Sequence, residues 1–244
     1  MDALFRRLNY YADLNEDDRT ALDGLKYRVE VYESGEEIIT RGDDPGDAFI
    51  VSSGWAARYI ALEDGRSQIL NFMLPGDVYD LQVFVSNGAD HSVLALNQVK
   101  VLEIKRREIL SVFDKKGRAG AAFWWCALQE EAILREQIVR NGRRSARERV
   151  AHLLLELHRR ALISGEGAGD SFHMPVSQAM LADALGLSFV HINRVLRELE
   201  KAGAISRKKG WITLERREHL VELCDFRDDY LHLDANPRRL GFNF

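Results

Sequence analysis

Between Tyr27 and about Lys105, apolar residues come in short runs. Ile38-Ile39, Ala48-Phe49-Ile50-Val51, Ile69-Leu70-Asn71-Phe72-Met73, Val93-Leu94-Ala95-Leu96 and Val99 to Ile104 are separated by turn residues. The turns fall at Gly35, Gly42-Asp43, Ser53-Gly54, Asp64-Gly65, Pro75-Gly76 and Asn87-Gly88. Short strands at this spacing predict a β-roll or jelly-roll barrel. Ahead of them, Ala3 to Lys26 reads as two short helices around Asp13-Leu14-Asn15.

From about Arg106 the period becomes helical. Gly120 to Val139 holds no proline and no internal glycine, and Ala121, Trp125, Leu128, Ala132, Arg135 and Val139 share one stripe. Phe123, Leu134 and Ile138 form a second apolar set. A helix apolar on two sides packs on its own domain with one face and on a partner helix with the other, here through Trp125, Leu128, Ala132 and Val139. A plain core helix fits the same period. Ser145 and Glu148 form a capping-box pattern that starts another helix, running to Leu162 with Val150, Leu153, Leu154 and Leu157 inward. Ser164 to Asp170 reads as a flexible linker, and it lacks the Gly-Lys-Ser/Thr ending of a phosphate loop.

Met174 to Leu214 is the most informative stretch. Ser177 caps a helix from Gln178 to Leu185, Gly186 suits the positive φ of a helix end, and Ser188 caps a second helix from Phe189 to Lys201. The second helix turns Ile192, Val195, Leu196 and Leu199 inward and Val190, Asn193, Arg194, Arg197 and Lys201 outward. Two short helices about a glycine turn, the second with a polar and cationic face, predict a DNA-reading helix-turn-helix. Ala204-Ile205-Ser206 and Trp211 to Leu214 then read as two wing strands. Arg207-Lys208-Lys209-Gly210 joins them and brings three cations to the tip, suited to phosphates.

Charge agrees with this placement. The whole chain is −4, yet Arg143 to His219 carries 14 Lys and Arg against 9 Asp and Glu, while the remainder carries 20 against 29. A +5 module on a −9 body suits a polyanion at one end. Cys126 and Cys224 are isolated, the N-terminus has no apolar signal core, and no apolar run approaches a membrane span, so a cytoplasmic location and no membrane partner are expected.

Taken together, the chain resembles the Crp/Fnr superfamily of transcription regulators. The likeness is carried by Ser34 to Asp43, Ala48 to Gly54, Pro75-Gly76-Asp77, the long helix, and the helix-turn-helix with its wing. It implies an α+β chain in four parts. These are an N-terminal double-stranded β-roll (jelly roll) sensor over 1–105, a long dimerisation helix over 106–142, a winged helix-turn-helix over 143–219, and a C-terminal helix and tail over 220–244. It also implies a homodimer on double-stranded DNA at an inverted repeat, with RNA polymerase as a further partner if the chain activates. By family position Ser177, Gln178 and Ser188 touch phosphates, Arg194 reads a guanine, and Arg197 and Lys208 hold backbone or groove edge. His191, Asn193 and Lys209 complete the expected DNA face.

Two departures from the family matter. Val190 stands where the family's recognition helix carries a glutamate that pairs with cytosine, which leaves a thymine methyl as its contact, and Phe189 replaces a polar residue. In the sensor, Asp80-Leu81 stands where the cyclic-nucleotide cassette has Gly-Glu, and His91-Ser92 where it has Arg-Ser. Histidine cannot offer the bidentate fork that a cyclic phosphate needs. The cassette is therefore degenerate, cyclic AMP is not the expected effector, and the effector is unknown. Two distant cysteines do not make an iron–sulfur site. His91 as a loop histidine is expected to be solvated rather than a haem ligand, and His152, Glu156 and His158 to be surface residues rather than metal ligands. No cofactor and no metal are expected.

Three other functions compete with that reading: a cyclic-nucleotide-dependent regulator, a sensor or scaffold whose helix pair binds protein, and, more remotely, an enzyme. No HExxH, phosphate loop or nucleophile–base spacing supports the last.

Overall fold

A computed structural model describes residues 1–44, 46–79, 88–115 and 117–233. The chain forms two compact units. One comprises Met1–Tyr59, Phe72–Glu131 and His232 onward; the other comprises Ile60–Asn71 and Ala132–Leu231.

Two four-stranded sheets make the predicted roll. One has the order β1 (Tyr27–Tyr32), β8 (Val99–Lys105), β3 (Asp47–Ser53), β6 (Val78–Tyr79); the other has β2 (Glu37–Ile39), β7 (Ser92–Ala95), β4 (Ala56–Ala61), β5 (Ser67–Met73). The paired strands whose register is recorded run antiparallel, with Val29 opposite Leu102 and Phe49 opposite both Glu103 and Tyr79. Because side chains alternate along a strand, β3 sends Phe49 and Val51 to one cluster and Ala48 and Ile50 to another. The first cluster, with Ile39, Met73, Tyr79, Val93 and Val101, fills the roll. The second lies under α1 (Asp2–Ala12), α2 (Glu16–Asp23), α3 (Arg106–Lys115) and the start of α4 (Gly117–Arg143). Burial on both faces explains why β3 reads as an unbroken apolar run instead of an alternating one. Gly54 makes the β3–β4 turn at φ 78°, where a Cβ would stand 2.2 Å from the Gln98 carbonyl oxygen.

α4 is three residues longer at the start and four at the end than the predicted helix. Its apolar faces are not placed as the stripe suggested. Ala132 is buried, Trp125 and Leu128 are half-buried and Val139 is exposed. The most exposed large apolar side chains on the helix are Trp124 at 58% and Ile138 at 74%. Trp125 stacks on Tyr11, and Phe123 and Cys126 are core.

The second unit is organised on α5 (Ala146–Ser164), whose capping box forms as predicted between Ser145 and Glu148. The helix is buried nearly all round, and this overturns the expected surface role of His152, Glu156 and His158. All three are at most 3% exposed. The reason is that α8 (Arg217–Cys224) and a 3-10 turn over Asp229–Leu231 follow the wing, and α8 packs on α5. Tyr230 donates to Glu156 at 2.8 Å, and Phe226 sits edge-on to His152. A boundary at residue 219 falls inside α8. The expected linker is also ordered: β9 (Gly167–Ala168) and β10 (Ser171–His173) form a hairpin that joins the wing strands in one sheet.

Candidate nucleic-acid interface

α6 (Gln178–Leu185) and α7 (Phe189–Lys201) meet at 105°. Both begin on the caps read from the sequence: the Ser177 hydroxyl accepts the Met180 N–H and the Ser188 hydroxyl accepts the His191 N–H, each at 3.2 Å. Gly186 closes α6 at φ 61°, a conformation that costs a non-glycine residue. Ile192, Val195, Leu196 and Leu199 are buried, so α7 can present only its opposite face. That face exposes Val190, Arg194 and Arg197, with His191 and Asn193 half-exposed beside them. Asn193 donates to the Gln178 side-chain oxygen at 2.7 Å, which ties the reading face to the first turn of α6. Arg194 Nε stands 3.8 Å from Glu198, too far to hold it, and its side chain is 65% exposed.

The wing is tighter than the sequence suggested. β11 (Ser206–Lys208) pairs with β12 (Trp211–Thr213), so only Lys209 and Gly210 make the turn. Their φ values of 51° and 81° are those of a two-residue hairpin turn matched to strand twist. Arg207 does not reach the tip. Its guanidinium grips Glu200 of α7 with two bonds of 2.8 Å, holding that carboxyl below its usual range and fixing the wing to the reading helix. Lys208 and Lys209 remain as the exposed tip cations. The Arg207–Glu200 tie is a positioning contact that a simple charge count does not show.

The helix pair is seated by side chains that no local pattern singles out. Arg149 donates to the Leu185 carbonyl at 3.1 Å and Asn141 to that of Ala184 at 3.0 Å, so two carbonyls at the end of α6 are satisfied from α4 and α5. Ser67 and Gln68 reach the same helix, at Asp183 and the Ala184 carbonyl.

In the roll, Asp80 and Leu81 lie outside the described residues. His91 is not a solvated loop side chain. It is 3% exposed, with Nδ1 2.7 Å from Asp90. Ser92 is buried and its hydroxyl accepts the Arg41 N–H at 3.0 Å. Burial pushes the thiols of Cys126 and Cys224 up to about 12, which leaves them protonated and unreactive. Among the described residues no group of three His, Cys, Asp or Glu side chains is placed to hold a metal ion, and no single helix is long and apolar enough to cross a membrane.

Known proteins share this arrangement. Residues 148–223 match the Crp-like helix-turn-helix domain and residues 29–116 the cyclic nucleotide-binding domain. The nitrogen fixation regulation protein FixK of Bradyrhizobium diazoefficiens is 32% identical, over 75% of this chain and 76% of its own. The transcriptional activator protein FnrL of Cereibacter sphaeroides is 27% identical over 92% and 88%. The solved structure of FixK2 from Bradyrhizobium japonicum superposes with a TM-score of 0.72 at 27% identity, covering 82% of this chain and 98% of that one. Sequence, fold and reading face agree: the chain belongs to the Crp/Fnr family and is a DNA-binding transcription regulator.

Proposed function

We propose that the protein binds an inverted-repeat operator as a homodimer in the cytoplasm, and that it works as a regulator rather than an enzyme. The reading face of α7 carries this assignment: an exposed Arg194 one turn into a capped helix whose opposite face is core. A guanidinium there can donate two bonds to a guanine edge. Ser177, Gln178 and Ser188 lie at the helix starts and suit phosphates, as do Lys208 and Lys209 on the wing. Arg197 holds backbone or groove edge, with His191 and Asn193 flanking. The free stripe of α4, with Trp124 and Ile138 at its centre and Leu128, Trp125 and Val139 beside it, supplies the partner seam. Ala132 supports it from within. Two reading helices then enter successive major grooves about 34 Å apart. If the regulator activates, RNA polymerase is a further partner.

The degenerate cassette supports an effector other than cyclic AMP. A buried imidazole bound to Asp90 offers no fork to a cyclic phosphate. Calorimetry is expected to find no cyclic AMP binding below millimolar concentration; a micromolar Kd would defeat this part.

The decisive experiment contrasts two substitutions on a selected operator and on random duplex. Arg194→Ala is expected to cost about 1–3 kcal/mol per half-site on the operator and little on random DNA. Lys208→Ala is expected to weaken both alike and to lower the salt slope by about 1 per subunit. Equal losses on both duplexes for Arg194→Ala would show that the arginine is only a backbone contact. Leu128→Glu, assayed by sedimentation at micromolar concentration, tests the seam.

A further inference from the structure

The reading face of α7 begins with two apolar side chains, and nothing among the described residues covers them. Phe189 is 54% exposed and Val190 is 76% exposed, at the first two positions of a helix whose first turn is fixed by Ser188. The remainder of that face, Asn193, Arg194, Arg197 and Lys201, is polar or cationic. Resting on the DNA binding proposed above, we propose that Val190, flanked by Phe189, reads the 5-methyl group of a pyrimidine in each half-site. The chain thereby selects thymine and accepts 5-methylcytosine in its place.

In the major groove a cytosine presents an N4 amino donor, and a thymine presents a carbonyl acceptor and a methyl group. Choosing cytosine requires an acceptor opposite the amino group, and the first turn of α7 holds no acidic residue. The carboxylate of Glu198 lies two turns further along, beside Arg194, and the Asn193 side chain is tied to Gln178 of α6. Pressing Val190 onto a cytosine would strip water from the amino group and return nothing, whereas a methyl against the isopropyl group is apolar contact on both sides. Valine suits this task because its β-branch leaves it few rotamers in a helix, so little freedom is lost on docking. Val190 and Arg194 are one turn apart, roughly 5–6 Å between Cβ atoms. Bases rise about 3.4 Å per step, so the methyl belongs to a base within two steps of the guanine that Arg194 contacts.

The test uses the full-length protein and an operator selected from random duplex. Each thymine of both half-sites is replaced in turn by deoxyuridine, which removes only the methyl. One position, within two steps of the Arg194 guanine, is expected to lose about fourfold in affinity per half-site and about fifteenfold for both. Fourfold is the worth of about one methylene taken out of water. Restoring the methyl on cytosine is expected to recover the same factor: 5-methylcytosine·guanine there should bind about fourfold per half-site better than cytosine·guanine. In Val190→Ala the deoxyuridine penalty should shrink to under twofold, and Val190→Glu should turn the preference at that one position from thymine to cytosine. Both replacements are at an exposed position. If no thymine is methyl-sensitive, or if Val190→Ala keeps the full penalty, the assignment is overturned. A 7-deazaguanine scan separates the two levels. Guanine dependence that vanishes in Arg194→Ala, without methyl dependence, defeats only the methyl reading; absence of any sequence preference defeats the operator reading with it.

Discussion

Replacing Glu156 by glutamine removes one charge and almost no volume from a deeply buried ion pair of the second unit. Arg140 and Glu156 are 1% and 2% exposed, and Arg140 Nη1 donates to a Glu156 oxygen at 2.9 Å. The same oxygen accepts the Tyr230 hydroxyl at 2.8 Å, and Arg160 stands 4.0 Å from the other. Glutamine leaves the Arg140 guanidinium buried without its counter-charge, near Arg160 and a neutral His152. Breaking a buried pair from one side costs about 3–5 kcal/mol, far more than the pair contributes over an apolar substitute. Tyr230→Phe removes only a hydrogen bond to a charged acceptor, about 1.5–3 kcal/mol. Amide hydrogen exchange along α5, measured against urea, reads this unit by itself in a chain of two units. The expected order is Glu156→Gln below Tyr230→Phe below the parent. The double change Arg140→Met with Glu156→Leu is expected to recover the part of the loss that comes from the unpaired Arg140, but not the Tyr230 bond or the charge facing Arg160. A Glu156→Gln protein within 1 kcal/mol of the parent would refute the reasoning, as would a double variant no better than the single one.

Three further outcomes follow from the same contacts. The imidazole of His152 is pushed down to about 2 by burial and then by Arg140 and Arg144, although the Glu136 carboxylate lies 3.1 Å from Nε2; a neutral ring donating there and facing Arg140 through Nδ1 satisfies both sides. An unfolded histidine takes up a proton below pH ~6.5 and this folded one does not, so stability should fall as pH drops below ~6.5 by up to ~1.4 kcal/mol per unit; urea midpoints from pH 7.5 to 5 check it, and His152→Gln should flatten the slope. Gly54→Ala places a Cβ 2.2 Å from the Gln98 carbonyl oxygen at a positive φ, and should cost the roll at least ~1–3 kcal/mol by thermal unfolding. Glu200→Gln releases Arg207 from a half-exposed pair, and should change stability by under ~1 kcal/mol while steepening the salt dependence of DNA binding by about 0.9 per subunit.

The helix-turn-helix is legible in the sequence almost residue for residue, because its signals are local. Ser177, Ser188 and Gly186 do their work within four residues of themselves, and the apolar set of α7 lies on one face. The roll is legible as a class for a similar reason, through its glycine turns. What escapes the sequence depends on distant partners. Arg207 reads as a third tip cation until Glu200, seven residues earlier, is seen to hold it. His152, Glu156 and His158 read as solvent-facing because polar and charged side chains usually mark a surface. They are buried because α8 and the residues after it return to cover α5. The hairpin of β9 and β10 escapes because its second strand pairs with the wing, some 40 residues away.

The same point decides the long helix. Periodicity draws the partner-facing stripe of α4 from apolar spacing alone, and so runs it through Trp125, Leu128, Ala132 and Val139. Polar residues fix the rotation instead. Gln129 is fully buried and accepts from Arg7, Glu130 pairs with Arg58, Arg140 with Glu156, Gln137 donates to the Ile69 carbonyl, and Asn141 to that of Ala184. Pairs of this kind add little net stability over apolar packing, since removing two charges from water costs about what their attraction returns. Their effect is directional: a guanidinium satisfied by one carboxylate tolerates little rotation of the helix that carries it, whereas leucine against leucine tolerates a good deal. Each set of anchors fixes its own stretch of α4, Gln129 and Glu130 in the first unit and Gln137, Arg140 and Asn141 in the second. Trp124 in the first stretch and Ile138 in the second are left exposed, and Ala132 is buried. Which apolar side chains of α4 stay exposed is therefore set by the polar residues that hold the helix.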